Sequence, residues 1–207
     1  LSHNIHITSA ASGPHTQALI VTMNTGRLLF RAPLHSETPS PKSLETHLRG
    51  IGLIGERYRQ QDHAFLTGER FLQLVTFLGC SPFLRLEPAD PQDEGFCQVQ
   101  FLGPFAQPRL MYGGNTRPPR CPHCGKSMGQ WRTDLNHNGD HIDCQICGQR
   151  SPVDALDWRR NAGLGRFFIQ VTEVFPGEAV PLPALMQALR EEGGDEWDYF
   201  YIQGSDQ

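Results

Sequence analysis

Residues 121–148 read CPHCGKSMGQWRTDLNHNGDHIDCQICG, and a Cys-x-x-Cys-Gly motif stands at each end of this stretch. Two cysteines three positions apart on a tight turn can bind one metal ion. The glycine after each pair permits the left-handed backbone that closes such a turn. Because 19 residues separate Cys124 from Cys144, two such turns can meet to form a tetrahedron of sulfurs. The sequence therefore predicts one metal site formed by Cys121, Cys124, Cys144 and Cys147.

Three chemistries are open to this four-cysteine pattern. Structural zinc is the prediction, because four cysteines close the coordination shell and leave no position for a reacting water. Iron in a rubredoxin-like site uses the same four sulfurs and is the minor alternative. Disulfides are disfavoured because the chain is expected in the cytoplasm, where thiols stay reduced.

The residues between the two cysteine pairs predict a small antiparallel sheet, because Asn138-Gly139 is a favoured two-residue hairpin signal. We call each Cys-x-x-Cys-Gly turn a knuckle. Because of its two knuckles and their spacing, the segment 118–150 resembles the zinc-ribbon family, which occurs in transcription, RNA-processing and many accessory proteins. The resemblance covers roughly a sixth of the chain. It implies a three-stranded ribbon with a structural zinc ion, and it identifies a metal site but no activity.

The other polar side chains of this segment are expected to stay outside the coordination shell. Lys126 and Arg150 follow the two knuckles and are expected to compensate the thiolate charge. Trp131 is expected to pack in a core, with base stacking as the alternative use. Three histidines are expected as exposed loop residues: His123, His137 and His141.

The chain on both sides of the cysteine segment predicts an α+β body. Residues 1–113 and 152–207 are expected to form it together, with residues 118–151 as an inserted three-stranded zinc ribbon. Residues 152–207 alone are too few to enclose a core, so they need the first segment to cover them. We expect the two segments to form a mixed sheet with helices on one face.

Apolar patterning places the elements of this body. Strands are predicted in a hairpin at 17–33 with its turn at 24–26, and at 83–87, 96–102, 165–175 and 197–203. Helices are predicted at 44–51, 67–78 and 183–192. The proline- and glycine-rich run 103–120 is expected to be an irregular connector.

The two halves of the body share a sequence pattern. The matching segments are 26–30 with 165–169, 44–49 with 185–190, and 62–68 with 198–204. This order is compatible with a duplicated strand–helix–strand unit, and generic α/β patterning is the alternative.

Two motifs of the first half carry weaker signals. Residues 50–55 match G-x-G-x-x-G, but a helical pattern precedes them where a dinucleotide site needs a strand, so a helix stop and turn is predicted. A polar cluster could line a pocket, although a solvated surface is the commoner use; it consists of Arg57, Arg59, Asp62 and His63. Both remaining cysteines, Cys80 and Cys97, are predicted to be buried thiols outside the metal site.

Charge limits the partners of the chain. The formal charge is +4 over residues 109–166 and −7 over residues 167–207. Residues 117–150 carry a formal charge of +2 before any metal binds. Four thiolates and one Zn²⁺ ion together add −2, so the loaded segment is formally neutral and generic nucleic-acid binding is not expected.

Function is predicted only at the level of class. The leading hypothesis is a non-enzymatic binding or regulatory protein whose ribbon docks a protein partner or a second copy. One alternative is an enzyme or cofactor-handling protein with its active site in the body and the ribbon as a stabilising flap. Another is a nucleic-acid-binding protein that uses residues 109–166. The sequence shows no membrane span and no secretory signal, which favours the cytoplasm.

Overall fold

The structure is a computed structural model that describes residues 26–34, 38–58, 63–79, 84–194 and 197–204. Its strands are β1 (Gly26–Arg31), β2 (Ile54–Arg57), β3 (Ala64–Thr67), β4 (Val75–Phe77), β5 (Val99–Leu102), β6 (Arg109–Tyr112), β7 (His141–Asp143), β8 (Arg150–Pro152), β9 (Ala162–Gly165), β10 (Phe168–Val174), β11 (Ala179–Pro181) and β12 (Asp198–Gln203). Its helices are α1 (Pro41–Gly50), α2 (Phe71–Leu74), α3 (Trp131–Asn138) and α4 (Pro183–Gly193), with a short 3₁₀ helix at Val153–Ala155.

The largest sheet has six strands in the order β12-β1-β10-β5-β3-β2. All of its recorded pairs are antiparallel, which corrects the expectation of a mixed sheet. The connectivity gives the reason. The helical crossover through α4 places β10 and β12 on either side of β1, and β1 and β5 likewise lie on either side of β10. Parallel strands therefore never become neighbours.

Helices α1 and α4 pack on the same face of this sheet, as predicted. Each begins with a proline, whose fixed φ suits a first helical turn. Each then buries two leucines one turn apart, Leu44 with Leu48 and Leu185 with Leu189, in the same core as the strand residues. Among the described residues, no helix has the length and apolar composition that a membrane crossing requires.

The opposite face of the sheet carries Phe168 and Phe200 and is covered by the two-stranded sheet β6–β9. At Gly163 this small sheet comes so close that an added Cβ would collide with the ring of Phe200. Strand β6 lies inside the segment 103–120, so the expected connector is in part regular. The chain reaches the cysteine region through β6 and leaves it through β9.

The pattern shared by the two halves is not confirmed as a duplication. Its first segment lies in β1 in the first half but spans the end of β9 and the start of β10 in the second, and its second segment lies in a helix in both halves. Its third segment is a strand that runs in different directions in the two halves. In the second half, β12 runs parallel to β10, because both pair antiparallel with β1. In the first half, β3 runs antiparallel to β1, because the successive pairs β1–β10, β10–β5 and β5–β3 are all antiparallel.

Two predicted elements of the first half are wrong. The predicted helix 67–78 is limited to the single turn α2, and the chain then extends into β4, which pairs with β11. Val75, Thr76 and Phe77 are β-branched or aromatic and favour this extended pairing. Residues 84–87 form no strand. The first strand and part of the turn of the predicted hairpin 17–33 lie outside the described residues, and its second strand corresponds to β1.

Candidate metal centre

Each Cys-x-x-Cys-Gly motif forms the tight turn that its glycine predicts. In the first knuckle the amide of Gly125 donates to the carbonyl of Cys121 at 2.9 Å, and Gly125 has a φ of 69°. In the second, Gly148 donates to the carbonyl of Cys144 at 2.7 Å with a φ of 70°. The two knuckles therefore present their cysteines in the same local geometry.

The two knuckles bring their four sulfurs together. The Sγ atoms of Cys121, Cys124, Cys144 and Cys147 all lie within 4.8 Å of one another. The Cys121–Cys147 and Cys124–Cys144 pairs are each separated by 3.7 Å. A tetrahedron with metal–sulfur bonds of about 2.3 Å has edges of about 3.8 Å, whereas a disulfide needs about 2.0 Å. The four predicted ligands are therefore positioned to bind a metal ion.

The knuckles place one sulfur of each pair inside the protein and the other nearer the surface. Cys121 and Cys144 are buried, Cys124 is half-buried and Cys147 is exposed. The two buried cysteines join an apolar cluster that includes Trp131. The core of this region is thus built in part from the cysteines that are positioned to bind a metal ion.

The surroundings of the second knuckle shift the pKa values of its two thiols in opposite directions. The backbone amides of Cys147 and Ile146 donate to the sulfur of Cys144 and lower its pKa to about 7. The amide of Gln149 favours the thiolate of Cys147, but desolvation and hydrogen bonding to the other sulfurs outweigh it and raise the pKa of Cys147 to about 12. A bound divalent cation would stabilise the negative charge of its sulfur ligands and so favour their thiolate form.

Aromatic side chains pack beside the sulfurs. Trp131 is 1% exposed and meets Trp158 and Tyr112 edge to face, with ring centroids 5.1 and 5.2 Å apart. The guanidinium of Arg132 lies 4.2 Å from the Trp131 ring centroid. Burial confirms the core role predicted for Trp131.

The segment between the knuckles is a helix and not the predicted hairpin. Helix α3 covers Trp131–Asn138, and Gly139 ends it with a φ of 70°. The Asn-Gly pair therefore terminates a helix, where a left-handed glycine is also favoured. Strands β7 and β8 pair on either side of the second knuckle. The expected three-stranded ribbon is therefore replaced by one helix, this hairpin and two isolated bridges, which join Arg120 to Ser127 and to Asp157.

The apolar cluster around the sulfurs reaches beyond the predicted insert at 118–151. Leu110 and Tyr112 join it from β6, and Ala162 and Leu164 join it from β9. We call residues 109–165 the cysteine module and the six-stranded sheet with α1 and α4 the body. The limits 118 and 151 stay a prediction.

The polar side chains near the knuckles lie outside the sulfur cluster, as predicted. His123 is exposed. His137 is exposed but lies on α3, and half-buried His141 lies on β7 beside Asp140 at 2.7 Å, so neither is a loop residue. Arg150 approaches Asp143 at 3.8 Å, so a carboxylate shares the charge that was assigned to the thiolates.

Two features of the module were not anticipated from the sequence. Residues 125–129, GKSMG, match the G-x-S-x-G pattern, but Ser127 forms a bridge inside the first knuckle and not the strand-to-helix elbow of a nucleophile. Ile146 is 68% exposed between two ligating cysteines. Apolar character predicts burial, so only the position of Ile146 within a knuckle could have pointed to its exposure.

Of the weaker motifs of the body, the glycine run is structural, whereas the described part of the polar cluster lies at a cavity. Helix α1 ends at Gly50, and Gly52 turns the chain towards β2 with a φ of 78°, so the glycine run is a helix stop. Arg57 pairs with Glu45, and Arg57 and His63 both line a cavity of about 390 Å³ beside α1. Arg59 and Asp62 of the predicted polar cluster, and Cys80, lie outside the described residues. Cys97 is fully buried, and burial raises the pKa of its thiol to about 12.

The chain was compared with protein-family models, curated proteins and solved structures, and no match was found in any of the three comparisons.

Proposed function

We propose that this chain is a binding protein in which a structural zinc ion holds the second knuckle rigid, so that the knuckle surface docks a protein partner. The observation that carries the proposal is the side chain of Ile146, which is 68% exposed at the second knuckle. Exposed large apolar side chains on a rigid support favour a partner that removes them from water.

The donor set supports a structural role for the metal. Four thiolates fill a tetrahedral shell and leave no position for substrate, and soft sulfur ligands select zinc or iron. Zinc-ribbon character is proposed for the knuckles alone, since a helix stands between them. The cytoplasm is proposed as the compartment because these thiols must stay reduced.

Charge indicates the chemistry of the partner. Lys126 and Arg120 are exposed near the knuckles, and within the described ranges neither forms an ion pair. With zinc bound, residues 117–150 are formally neutral, which disfavours a polyanion such as nucleic acid. A protein surface with an apolar pocket and a few carboxylates around it fits this arrangement best.

The test compares two exposed apolar residues. Ile146→Ser removes the proposed contact, and Leu72→Ser, at a 54% exposed position on α2, is the matched control. Sedimentation equilibrium first shows whether the wild type self-associates. Affinity capture then uses wild type, Ile146→Ser and Leu72→Ser as three baits. A protein that wild type and Leu72→Ser capture and Ile146→Ser does not is purified and titrated against each bait.

Ile146→Ser should weaken the reconstituted complex at least tenfold, roughly the value of burying one aliphatic side chain, and should keep its metal. A wild-type dimer that this variant dissociates would make a second copy the partner. Equal affinity of wild type and Ile146→Ser, or no species that separates the baits, would contradict the proposal.

A further inference from the structure

A cleft of about 460 Å³ lies where the cysteine module meets the body. Three arginines line it: Arg31 from the end of β1, and Arg159 and Arg160 from the turn before β9. The buried side chains of Leu156 and Trp158 also contribute to its wall. The cleft is separate from the four sulfurs and from Ile146.

The backbone that carries two of these arginines is unusual. Arg159 and Arg160 have φ values of 50° and 58°, a left-handed conformation that favours glycine. Surrounding hydrogen bonds hold it: Asp157 Oδ1 accepts from the amide of Arg159 at 2.9 Å, and the carbonyl of Arg160 accepts from the amide of Tyr201 at 3.0 Å. The chain thus keeps two long cationic side chains where glycine would be accommodated more easily.

The guanidinium groups retain hydrogen-bonding capacity. Arg160 donates to the hydroxyl of Tyr199 at 2.6 Å and lies over its ring, and Arg159 donates to the carbonyl of Pro118. Neither forms an ion pair with a carboxylate of the described residues, and the buried Nε of Arg159 has no partner there. Arg31 forms an ion pair with Asp198 at 3.9 Å and donates to the carbonyl of Leu164 at 3.3 Å.

Three carboxylates, those of Asp154, Asp157 and Asp198, line the cleft beside the three arginines and limit the charge of a ligand. Asp157 and Asp198 each accept a hydrogen bond from a nearby backbone amide, of Arg159 and Tyr199 respectively. They hold the turn and the start of β12 in place while lowering the positive potential of the cleft. Such a mixed lining favours one oxyanion group over a polyanion.

We propose that this cleft binds the carboxylate or phosphate group of a small molecule through Arg31, Arg159 and Arg160. The planar guanidinium fork matches both groups in two-point hydrogen bonding. The proposed site is independent of protein docking at Ile146, because it uses none of the knuckle residues.

The test is an NMR titration of the metal-loaded full chain with sodium acetate and, separately, inorganic phosphate. Sodium chloride at matched ionic strength is the reference. The backbone amides of Arg159 and Arg160 should shift saturably with at least one oxyanion, with dissociation constants in the millimolar range, and should not saturate with chloride. Saturation by acetate alone assigns a carboxylate ligand, and saturation by phosphate alone assigns a phosphate ligand.

Variants locate the site. Arg160→Gln and Arg31→Gln should each weaken binding at least about tenfold, since each removes a charged donor. Arg117→Gln, an exposed arginine outside the cleft, should leave it unchanged. Using two cleft variants keeps the test valid if one of them folds poorly. No saturable shift up to about 50 mM of either oxyanion, or an equal loss in Arg117→Gln, would overturn the proposal.

Discussion

The body and the cysteine module are stabilised in different ways. The body encloses an apolar core between one face of its sheet and two helices, with side chains drawn from both halves of the chain. The module has a smaller cluster, and two of its buried members, Cys121 and Cys144, belong to the four sulfurs positioned to bind a metal ion. The body should therefore depend on packing alone, whereas the module should depend on packing and metal together.

The largest effect should come from a metal ligand. Cys144→Ser should abolish stoichiometric metal binding and cost the module several kcal/mol, because metal binding in such sites supplies folding free energy. Elemental analysis measures the first effect, and hydrogen exchange in residues 109–165 measures the second.

Cys97→Ser is the matched control for that change. Cys97 is buried in the core of the body and is not among the clustered sulfurs, so this variant should lose stability and keep its metal. Full metal content in Cys144→Ser would show that the ligand assignment is wrong.

A pair of core truncations should separate the two regions next. Trp131→Ala in the module and Phe167→Ala in the body each remove a fully buried aromatic ring and should cost about 3–5 kcal/mol. Because Trp131 shares its cluster with Cys121 and Cys144, its loss should also weaken metal affinity in a chelator competition, whereas the loss of Phe167 should not.

Urea unfolding followed by hydrogen exchange provides the readout. Trp131→Ala should expose the module at lower urea than the body, and Phe167→Ala should shift the transition of the body. If both variants shift one common transition equally, the module and the body unfold as a single unit.

The sequence predicted those parts in which one residue type has one structural use. Cys-x-x-Cys-Gly permits few backbones, so four ligands and two glycine turns could be predicted. The leucine spacing in α1 and α4 also indicated their buried faces. Asn138-Gly139 has two uses, since the same left-handed glycine closes a hairpin or ends a helix, and only the packing of Trp131 decides between them.

Long-range pairing accounts for the other errors. Val75–Phe77 becomes a strand because β11, about 100 residues further along the chain, lies beside it. The antiparallel sheet follows from the way each half inserts a strand between two strands of the other. The cleft arginines lie far apart in sequence, with Arg31 in β1 and Arg159 beyond the knuckles, so no local pattern brings them together.

A smaller effect is expected from a knuckle glycine. Gly148→Ala places a Cβ in open space, so its cost should come only from the left-handed backbone, about 1–2 kcal/mol. Gly129→Ala is the control, because its Cβ also meets nothing within 4 Å and its φ is outside the left-handed region. Chelator competition should show weaker metal retention for Gly148→Ala alone. Equal retention in both variants would mean that the knuckle tolerates another backbone.

The smallest effect concerns a loop of the body that is closed by hydrogen bonds, in contrast to the sulfur cluster of the module. Asp93 accepts hydrogen bonds from Arg85 at 2.7 Å and from the amides of Ala89 and Gly95. These contacts, the one with Arg85 foremost, lower its pKa from 3.8 to about 2. A depressed carboxyl pKa stabilises the fold above pH 3.8, and this contribution is lost as the pH falls towards 2.

Asp93→Asn should therefore lower the free energy of unfolding above about pH 4 and converge with the wild type near pH 2. Acid also protonates the thiolates and releases the metal, but this loss is common to both proteins and cancels in their difference. Urea unfolding of both proteins between pH 2 and 5 measures that difference, with Asp90→Asn as a neighbouring control whose carboxylate accepts from the amide of Gln92. A gap between Asp93→Asn and wild type that stays constant over this range would show that packing of the loop, and not the ionised carboxylate, stabilises it.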